Sequence, residues 1–154
     1  SLSGIVALSI DQLVVSVVRD DSLYWCIVSM DGSEKSSAKV CPSKWIPQMA
    51  VNNRRTRIYV SCYKDSAKVY AYSVDCTLIF KAMDGVYGLA VDREDNLYVV
   101  GQVSQNIHQV SSSGAPLQVF FKEIANHPSD ICFSSSGDEF LLKNRNEVQK
   151  FKLK

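Results

Sequence analysis

Basic and aromatic residues lie side by side at several points of the chain, each time between apolar runs. Lys44–Trp45 and Tyr63–Lys64 are two such pairs, and Lys143 and Arg145 form a further basic cluster without an adjacent aromatic residue. Cations that contact phosphates, beside rings that stack on bases, are the chemistry of single-stranded RNA binding. Trp, Tyr and Arg are equally the usual anchors of protein–protein interfaces. The pattern indicates a binding surface for either a protein or an RNA.

The residue types that enzymes and metal sites use are sparse. The two histidines, His108 and His127, do not have the spacing of a metal-binding pair. The sequence contains no Gly-x-Ser-x-Gly motif, and no cysteine has a neighbouring histidine that would activate it. We therefore predict that the protein is not an enzyme and binds no metal and no cofactor.

The five cysteines predict reduced thiols rather than a disulfide framework. Their number is odd, no Cys-x-x-Cys pair occurs, and four of them lie in apolar runs, where a free cysteine packs as a small hydrophobe. Reduced thiols are typical of the cytosol, so we predict a cytoplasmic location. They are Cys26, Cys41, Cys62, Cys76 and Cys132.

Length and composition describe a single globular domain. The chain has 154 residues, of which 46% are hydrophobic and 21% charged, and its net charge is +1. So balanced a charge favours neither nucleic acid nor a membrane as partner, and no apolar run approaches the roughly 20 residues that span a bilayer. The chain begins without methionine, inside a strand-like pattern, which suggests a piece of a longer protein.

A repeat covers the whole chain. Each unit contains an apolar triplet with a small middle residue, and these residues are separated by 43, 40 and 42 positions. They are Ala7, Ala50, Ala90 and Cys132. Propeller blades and some helical-pair repeats both have periods of about 40–45 residues, so the period alone does not choose between them.

Short apolar runs decide in favour of strands. Leu97–Val100 and Ile107–Val110 are rich in β-branched and aromatic residues and are bounded by turn residues, as are their counterparts in the other units. Four short strands per unit describe one blade of a β-propeller. We predict an all-β fold: a propeller of about four blades of four-stranded antiparallel sheet, whose last blade lacks its outer strand. The whole chain, 1–154, is one domain with blades at approximately 4–45, 46–84, 85–126 and 127–154, and the four small residues are equivalent and innermost.

The third unit resembles an NHL repeat, as found in the C-terminal propellers of tripartite-motif proteins. The stretch GVYGLAVDREDNLYVVGQVSQNIHQVSSSG has the aromatic-Gly-Φ-Ala-Val-Asp entry, the Asp95–Asn96 turn and the Asn106–Ile107 opening of the third strand. The resemblance implies the recognition end of a ubiquitin-ligase-like protein whose zinc-binding domains lie elsewhere. It also implies a ring of six blades, in which residues before the first blade supply the missing outer strand. With that strand absent, open edges invite self-association.

Because neighbouring strands run in opposite directions, loops before each first strand and between second and third strands share one face, which we call the loop face. Binding residues concentrate on loops held by a rigid scaffold. The candidate ligand-binding residues of this face are Arg19, Lys44, Trp45, Tyr63, Lys64, Tyr87, Asn106, His127, Lys143 and Arg145. The opposite side, the turn face, carries Asn52–Arg57 and Asp92–Asp95, which we expect to be solvated hairpin tips with a three-arginine turn able to meet an acidic partner.

Three functions fit these patterns, in a definite order. A non-catalytic module that recognises a protein partner comes first, because acidic residues interrupt the basic loops. A single-stranded RNA-binding propeller is the alternative. A propeller lyase or hydrolase comes last, since amidating lyases of this general fold hold metal with several histidines and this chain has two.

Overall fold

The computed structural model describes residues 2–41, 48–62, 68–82, 86–101, 104–121 and 128–153, and every regular element in them is a strand. None of these residues belongs to a helix long and apolar enough to cross a membrane. The strands are β1 Leu2–Ala7, β2 Gln12–Arg19, β3 Ser22–Ser29, β4 Glu34–Cys41, β5 Met49–Val51, β6 Arg57–Cys62, β7 Lys68–Ser73, β8 Leu78–Ala82, β9 Val86–Val91, β10 Leu97–Gly101, β11 Asn106–Val110, β12 Pro116–Phe121, β13 Asp130–Phe133, β14 Glu139–Lys143 and β15 Val148–Lys152.

Consecutive strands pair antiparallel into four separate sheets. Sheet 1 is β1–β4, sheet 2 is β5–β8 and sheet 3 is β9–β12, each in simple up-and-down order. Sheet 4 contains β13, β14 and β15 and, among the described residues, no fourth strand. The predicted fold class is confirmed, including the incomplete last blade.

Apolar residues of neighbouring sheets meet in three core clusters, one between each pair of successive sheets. In β6, Ile58 and Val60 face sheet 1, whereas Tyr59 faces sheet 3. In β10, Val99 faces sheet 2 and Val100 faces sheet 4. The inner strands are buried on both faces, which explains their continuous apolar runs. Among the described residues, no core cluster joins sheet 4 to sheet 1. The sheets therefore form an open arc.

The register corrects one of the four predicted innermost residues. The reference point in each sheet is the last residue pair between the first and second strands, next to the turn. In sheets 2, 3 and 4 this pair comes one position after Ala50, Ala90 and Cys132. In sheet 1 it contains Ala7 itself. The equivalent of Ala50 in sheet 1 is therefore Val6, which packs against the first core cluster, while Ala7 is exposed. The last pairs are Ala7–Leu13, Val51–Ile58, Val91–Leu97 and Phe133–Phe140.

Cys132 is equivalent to Ala50 and Ala90 yet exposed. Ala50 and Ala90 face the following sheet and are buried there, at 9% and 7% exposure. Cys132 has the same orientation, but within the described residues no sheet follows sheet 4. Burial at this position depends on the next blade, not on the residue itself.

Two of the cysteines are not free thiols, which corrects the prediction that all five are reduced. Cys41, at the end of β4, and Cys62, at the end of β6, form a disulfide with their Cα atoms 6.7 Å apart. Both are buried in the first core cluster, so the bond joins sheet 1 to sheet 2. Cys26, Cys76 and Cys132 remain free.

Candidate binding surface

Half of the predicted loop-face residues lie outside the described residues. They are Lys44, Trp45, Tyr63, Lys64 and His127. The structure describes the other five, and it places four of them at the loop-face ends of sheets 3 and 4 and the fifth on sheet 1. They are Arg19, Tyr87, Asn106, Lys143 and Arg145.

Sheets 3 and 4 approach each other closely where Tyr87 and Lys143 lie. Gly88 follows Tyr87 in β9, and a Cβ on this glycine would lie only 2.7 Å from the Asp130 Cα of β13. Asp130 is in turn paired with Lys143 across sheet 4. A side chain at position 88 would push the two innermost strands apart. Glycine thus brings Tyr87 and Lys143 to neighbouring sheet ends.

Asn106 lies at the same end of sheet 3. It is paired with Gly101, whose other neighbour in the sheet is Val86, the first residue of β9. Asn106 is half-buried and has its own interactions within the structure. The row at the loop-face end of sheet 3 is therefore Val86, Gly101 and Asn106, and Tyr87 is the next residue along β9.

Asn144 fixes the hairpin that carries Arg145. Its side chain is buried, and Oδ1 accepts hydrogen bonds from the backbone N–H of Glu147 at 3.0 Å and, more loosely, of Asn146 at 3.4 Å. This side chain–backbone turn leaves Arg145 exposed at the tip. Arg145 and the exposed Lys143 form a small basic patch at the end of sheet 4.

Asp130 lies beside this patch, because it pairs with Lys143 across sheet 4. Burial raises the pKa of Asp130 above its ordinary value, and the backbone N–H of Ile131 and the charge of Lys143 oppose that shift in part. Ser129 anchors the same hairpin, because its N–H donates to the Lys143 carbonyl oxygen at 2.8 Å.

Arg19 has a different environment from the other four. Its guanidinium bonds the Glu34 carboxylate at 2.5 Å and lies 5.9 Å from the centre of the Tyr24 ring. Leu23 and Trp25 of β3 face sheet 2. Tyr24 lies between them and therefore faces the opposite side of sheet 1. Arg19 covers Tyr24 on that side. The ion pair ties Arg19 to β4, and the structure does not bring it together with Lys143 and Arg145.

On the turn face, Asp92 organises the hairpin tip between β9 and β10. Asp92 accepts hydrogen bonds from the backbone N–H groups of Glu94 and Asn96 through Oδ1, both at 2.9 Å. Its Oδ2 accepts from Asn96 Nδ2 at 2.8 Å and from the Tyr98 hydroxyl at 3.1 Å. Asp92, the last residue of the aromatic-Gly-Φ-Ala-Val-Asp entry, therefore holds the turn together through Asn96 and the turn backbone.

Arginines of this face connect neighbouring sheets, which the sequence did not reveal. Arg55 Nη1 donates to the carbonyl oxygens of Ala7 and Leu8 in sheet 1, at 2.6 and 2.9 Å. Arg93 Nη1 donates to the Ser136 carbonyl oxygen in sheet 4 at 2.7 Å. One nitrogen of each of these guanidinium groups is therefore engaged with the neighbouring sheet.

Two polar clefts open on the turn face between successive sheets. The cleft between sheets 2 and 3 has a volume of about 480 Å³, and the cleft between sheets 3 and 4 about 530 Å³. Both have a tyrosine at the same repeat position, Tyr59 in one and Tyr98 in the other, and both are bordered by Glu94. Their volumes lie in the range of small-ligand sites.

One side-chain pair has the elements of a nucleophile and a base. Ser104 Oγ lies 3.2 Å from His108 Nε2, and burial lowers the pKa of His108, so its ring is neutral at pH 7. Within the described residues no carboxylate orients the other ring nitrogen, and no three His, Cys, Asp or Glu side chains are grouped to hold a metal ion. The pair lacks the orienting third member of a catalytic triad.

No protein-family model matches the chain, and no curated protein matches it by sequence. Solved structures of propeller-like proteins do match it in fold. Virginiamycin B lyase from Staphylococcus aureus superposes with a TM-score of 0.68 at 10% identity, over 99% of this chain and 55% of that chain. A protein of unknown function from Bacteroides thetaiotaomicron superposes with a TM-score of 0.64 at 17% identity, over 98% of this chain and 41% of that chain.

A protein of unknown function from Bacteroides caccae gives a similar result, with a TM-score of 0.62 at 10% identity, over 99% of this chain and 61% of that chain. The chain thus spans about half the length of the structures it matches. Identities this low establish the propeller fold and nothing finer.

Proposed function

We propose that this chain is a non-catalytic binding module of the NHL type that recognises a protein partner through its loop face. The observation that carries the proposal is the grouping of Tyr87, Asn106, Lys143 and Arg145 at the adjoining ends of sheets 3 and 4. An aromatic ring beside two exposed cations is the composition of an interface anchor. Asp130 beside them keeps the patch from being purely basic.

The NHL assignment rests on the third unit. Its Asp92 and Asn96 are joined by hydrogen bonds, which gives the sequence pattern a structural purpose. On the same resemblance we propose that the parent protein is of the tripartite-motif, ubiquitin-ligase-like type and acts in the cytoplasm. The Cys41–Cys62 disulfide is the observation that weighs against a reducing compartment.

The absence of catalysis is part of the proposal. A streptogramin lyase shares the fold, but propellers host many unrelated functions, so the chemistry must be argued from the site. The Ser104–His108 pair, the best candidate among the described residues, has no orienting acid and borders neither turn-face cleft.

Single-stranded RNA is the second candidate ligand. Lys143 and Arg145 are exposed cations beside Tyr87, and with Lys44, Lys64 and Trp45 they complete the mixture of charges and rings that RNA-binding surfaces use. The net charge of +1 and the nearby Asp130 make it the weaker candidate.

Selection of peptides from a randomised displayed library on the immobilised chain tests the first candidate. Calorimetric titration of a selected peptide into Trp45→Ala and into a Lys143→Ala/Arg145→Ala variant should show at least one loss of about 2 kcal/mol, the size expected for a hot spot. Lys35→Ala, an exposed lysine of the outer strand β4, is the matched control and should bind normally. Equal affinity in all these variants would contradict recognition through the loop face.

Fluorescence anisotropy with a short single-stranded RNA, measured over a series of salt concentrations, tests the second candidate. Removing one cation that contacts a phosphate should flatten the slope of log affinity against log salt by about 0.7. If the ligand is a protein, RNA binding should be weak, and replacing Lys44, Lys64, Lys143 and Arg145 with alanine should change that RNA binding little. Tight, salt-dependent RNA binding that this variant abolishes would favour RNA instead.

A further inference from the structure

The cleft between sheets 3 and 4 has hydrogen-bonding groups that the fold leaves unused. Asp92 is fully engaged, because its two oxygens accept four hydrogen bonds from its own hairpin. Arg93 is engaged with the Ser136 carbonyl oxygen, and the Tyr98 hydroxyl with Asp92. These residues build the walls of the cleft but offer little to a ligand.

Two acceptors of the cleft remain available, the Oε1 atom of Gln118 and the carboxylate of Glu94. Gln118 Nε2 donates to Gln109 Oε1 at 2.7 Å, which orients the two amides and leaves Gln118 Oε1 without a donor among the described residues. Glu94 borders the same cleft, and its carboxylate has neither a hydrogen bond nor an ion pair within the described part of the chain. A ligand that donates hydrogen bonds can use both acceptors.

The charges of the surrounding residues favour a cation. Asp92 and Glu94 contribute two carboxylates to the cleft, against the single guanidinium of Arg93. In the adjoining cleft, Arg54 is paired with Asp95 at 3.4 Å and Arg57 Nη1 bonds the Ser112 carbonyl oxygen at 2.8 Å. Glu94, on the ridge between the two clefts, has no ion pair among the described residues.

From this arrangement we propose that the cleft between sheets 3 and 4 binds the cationic side chain of a peptide segment, an arginine or a lysine. The carboxylate of Glu94 pairs with the cation and the Oε1 atom of Gln118 accepts a further hydrogen bond. Charge-assisted hydrogen bonds of this kind are the stronger ones in proteins. The volume of about 530 Å³ accommodates a side chain of that length together with the adjoining backbone. This site lies on the turn face and does not depend on the loop-face proposal.

The test is an NMR titration of the ¹⁵N-labelled full chain with acetyl-Gly-Arg-Gly-amide. The matched peptide with citrulline keeps the shape of arginine and removes its charge. The arginine peptide should shift the resonances of Glu94, Gln109 and Gln118, whereas the citrulline peptide should shift them at least tenfold less at equal concentration. Equal shifts from both peptides, or shifts confined to residues outside the cleft, overturn the proposal.

Two variants locate the charge. Glu94→Gln removes one negative charge from an exposed side chain and should weaken arginine-peptide binding at least tenfold. Gln118→Glu adds a second free carboxylate and should strengthen it several-fold. Glu147→Gln, an exposed glutamate at the opposite end of the sheets, is the control and should leave binding unchanged. Unaltered binding by Glu94→Gln would show that this carboxylate holds no ligand.

Discussion

At the scale of single residues, Asp92 stabilises its hairpin by accepting four hydrogen bonds. It satisfies two backbone N–H groups, the Asn96 amide and the Tyr98 hydroxyl, and Tyr98 is only 5% exposed. Asp92→Ala would leave these donors unpaired, so we expect the free energy of unfolding to fall by about 2–3 kcal/mol. Urea denaturation measures it, with Glu94→Ala as the control because that side chain makes no described hydrogen bond. Equal losses in the two variants would show that the network contributes nothing.

His108 should make stability depend on pH in a known direction. Burial lowers the pKa of its ring below the ordinary value of about 6.5. As pH falls below that value the unfolded chain takes up a proton that the folded chain does not, so stability decreases until pH reaches the folded pKa. His108→Gln should flatten this decrease, and His127, which lies outside the described residues, is present in both proteins and cancels. An NMR titration giving His108 a pKa above about 6.5 would reverse the prediction.

At the scale of elements, the Cys41–Cys62 disulfide joins β4 to β6 and should stabilise the contact between sheets 1 and 2. The cysteines are 21 positions apart, and a bridge closing a loop of that size typically contributes about 3 kcal/mol. Replacing both with serine should lower the urea midpoint, and dithiothreitol should lower that of the natural chain but not of the variant. Cys132→Ser, at an exposed free thiol, is the control. Alkylation of all five cysteines under non-reducing denaturing conditions would refute the bridge.

The strands and their order were predictable from the sequence. An inner strand is buried on both faces, so it appears in the sequence as a continuous apolar run. Ala7 was misplaced for a local reason. Asn52, Asp92 and Ser134 each bond the N–H groups of their own turn, but the equivalent position in sheet 1 is Leu8, which has no such side chain. Without that landmark the first unit was aligned one residue out of register.

Contacts between sheets were not predictable. The link between Cys41 and Cys62, and the bonds of Arg55 and Arg93 to carbonyl oxygens of neighbouring sheets, depend on which strand ends meet in space. Among the candidate site residues, Arg19 was assigned to the loop face by its place in the hairpin, while its side chain turns to the outer side of sheet 1. The side of the sheet that a side chain faces depends on its position in the strand, and its closeness to a loop does not determine it.

At the scale of the whole molecule, the outer side of sheet 1 is unpartnered among the described residues. Ile5 there is 62% exposed although it lies in a strand, and on the opposite end of the arc Val148 is equally exposed. Exposed apolar sheet faces and open edges favour association, so we expect sedimentation to show self-association that increases with concentration. Ile5→Lys should shift the chain toward monomer, whereas Ile10→Lys, fully exposed in the β1–β2 turn, should not. A monomer at every concentration would contradict this.

The central claim is recognition of a protein through the loop face, and hydrogen–deuterium exchange of the full chain with and without a selected peptide that contains no arginine or lysine tests it most directly. The account predicts that the peptide slows exchange at the loop-face ends of the strands, at residues 104–106 and 143–148. Exchange in the turn-face hairpins 52–57, 92–96 and 134–139 should stay unchanged. Protection confined to those hairpins, with none at the loop-face ends, would contradict the account.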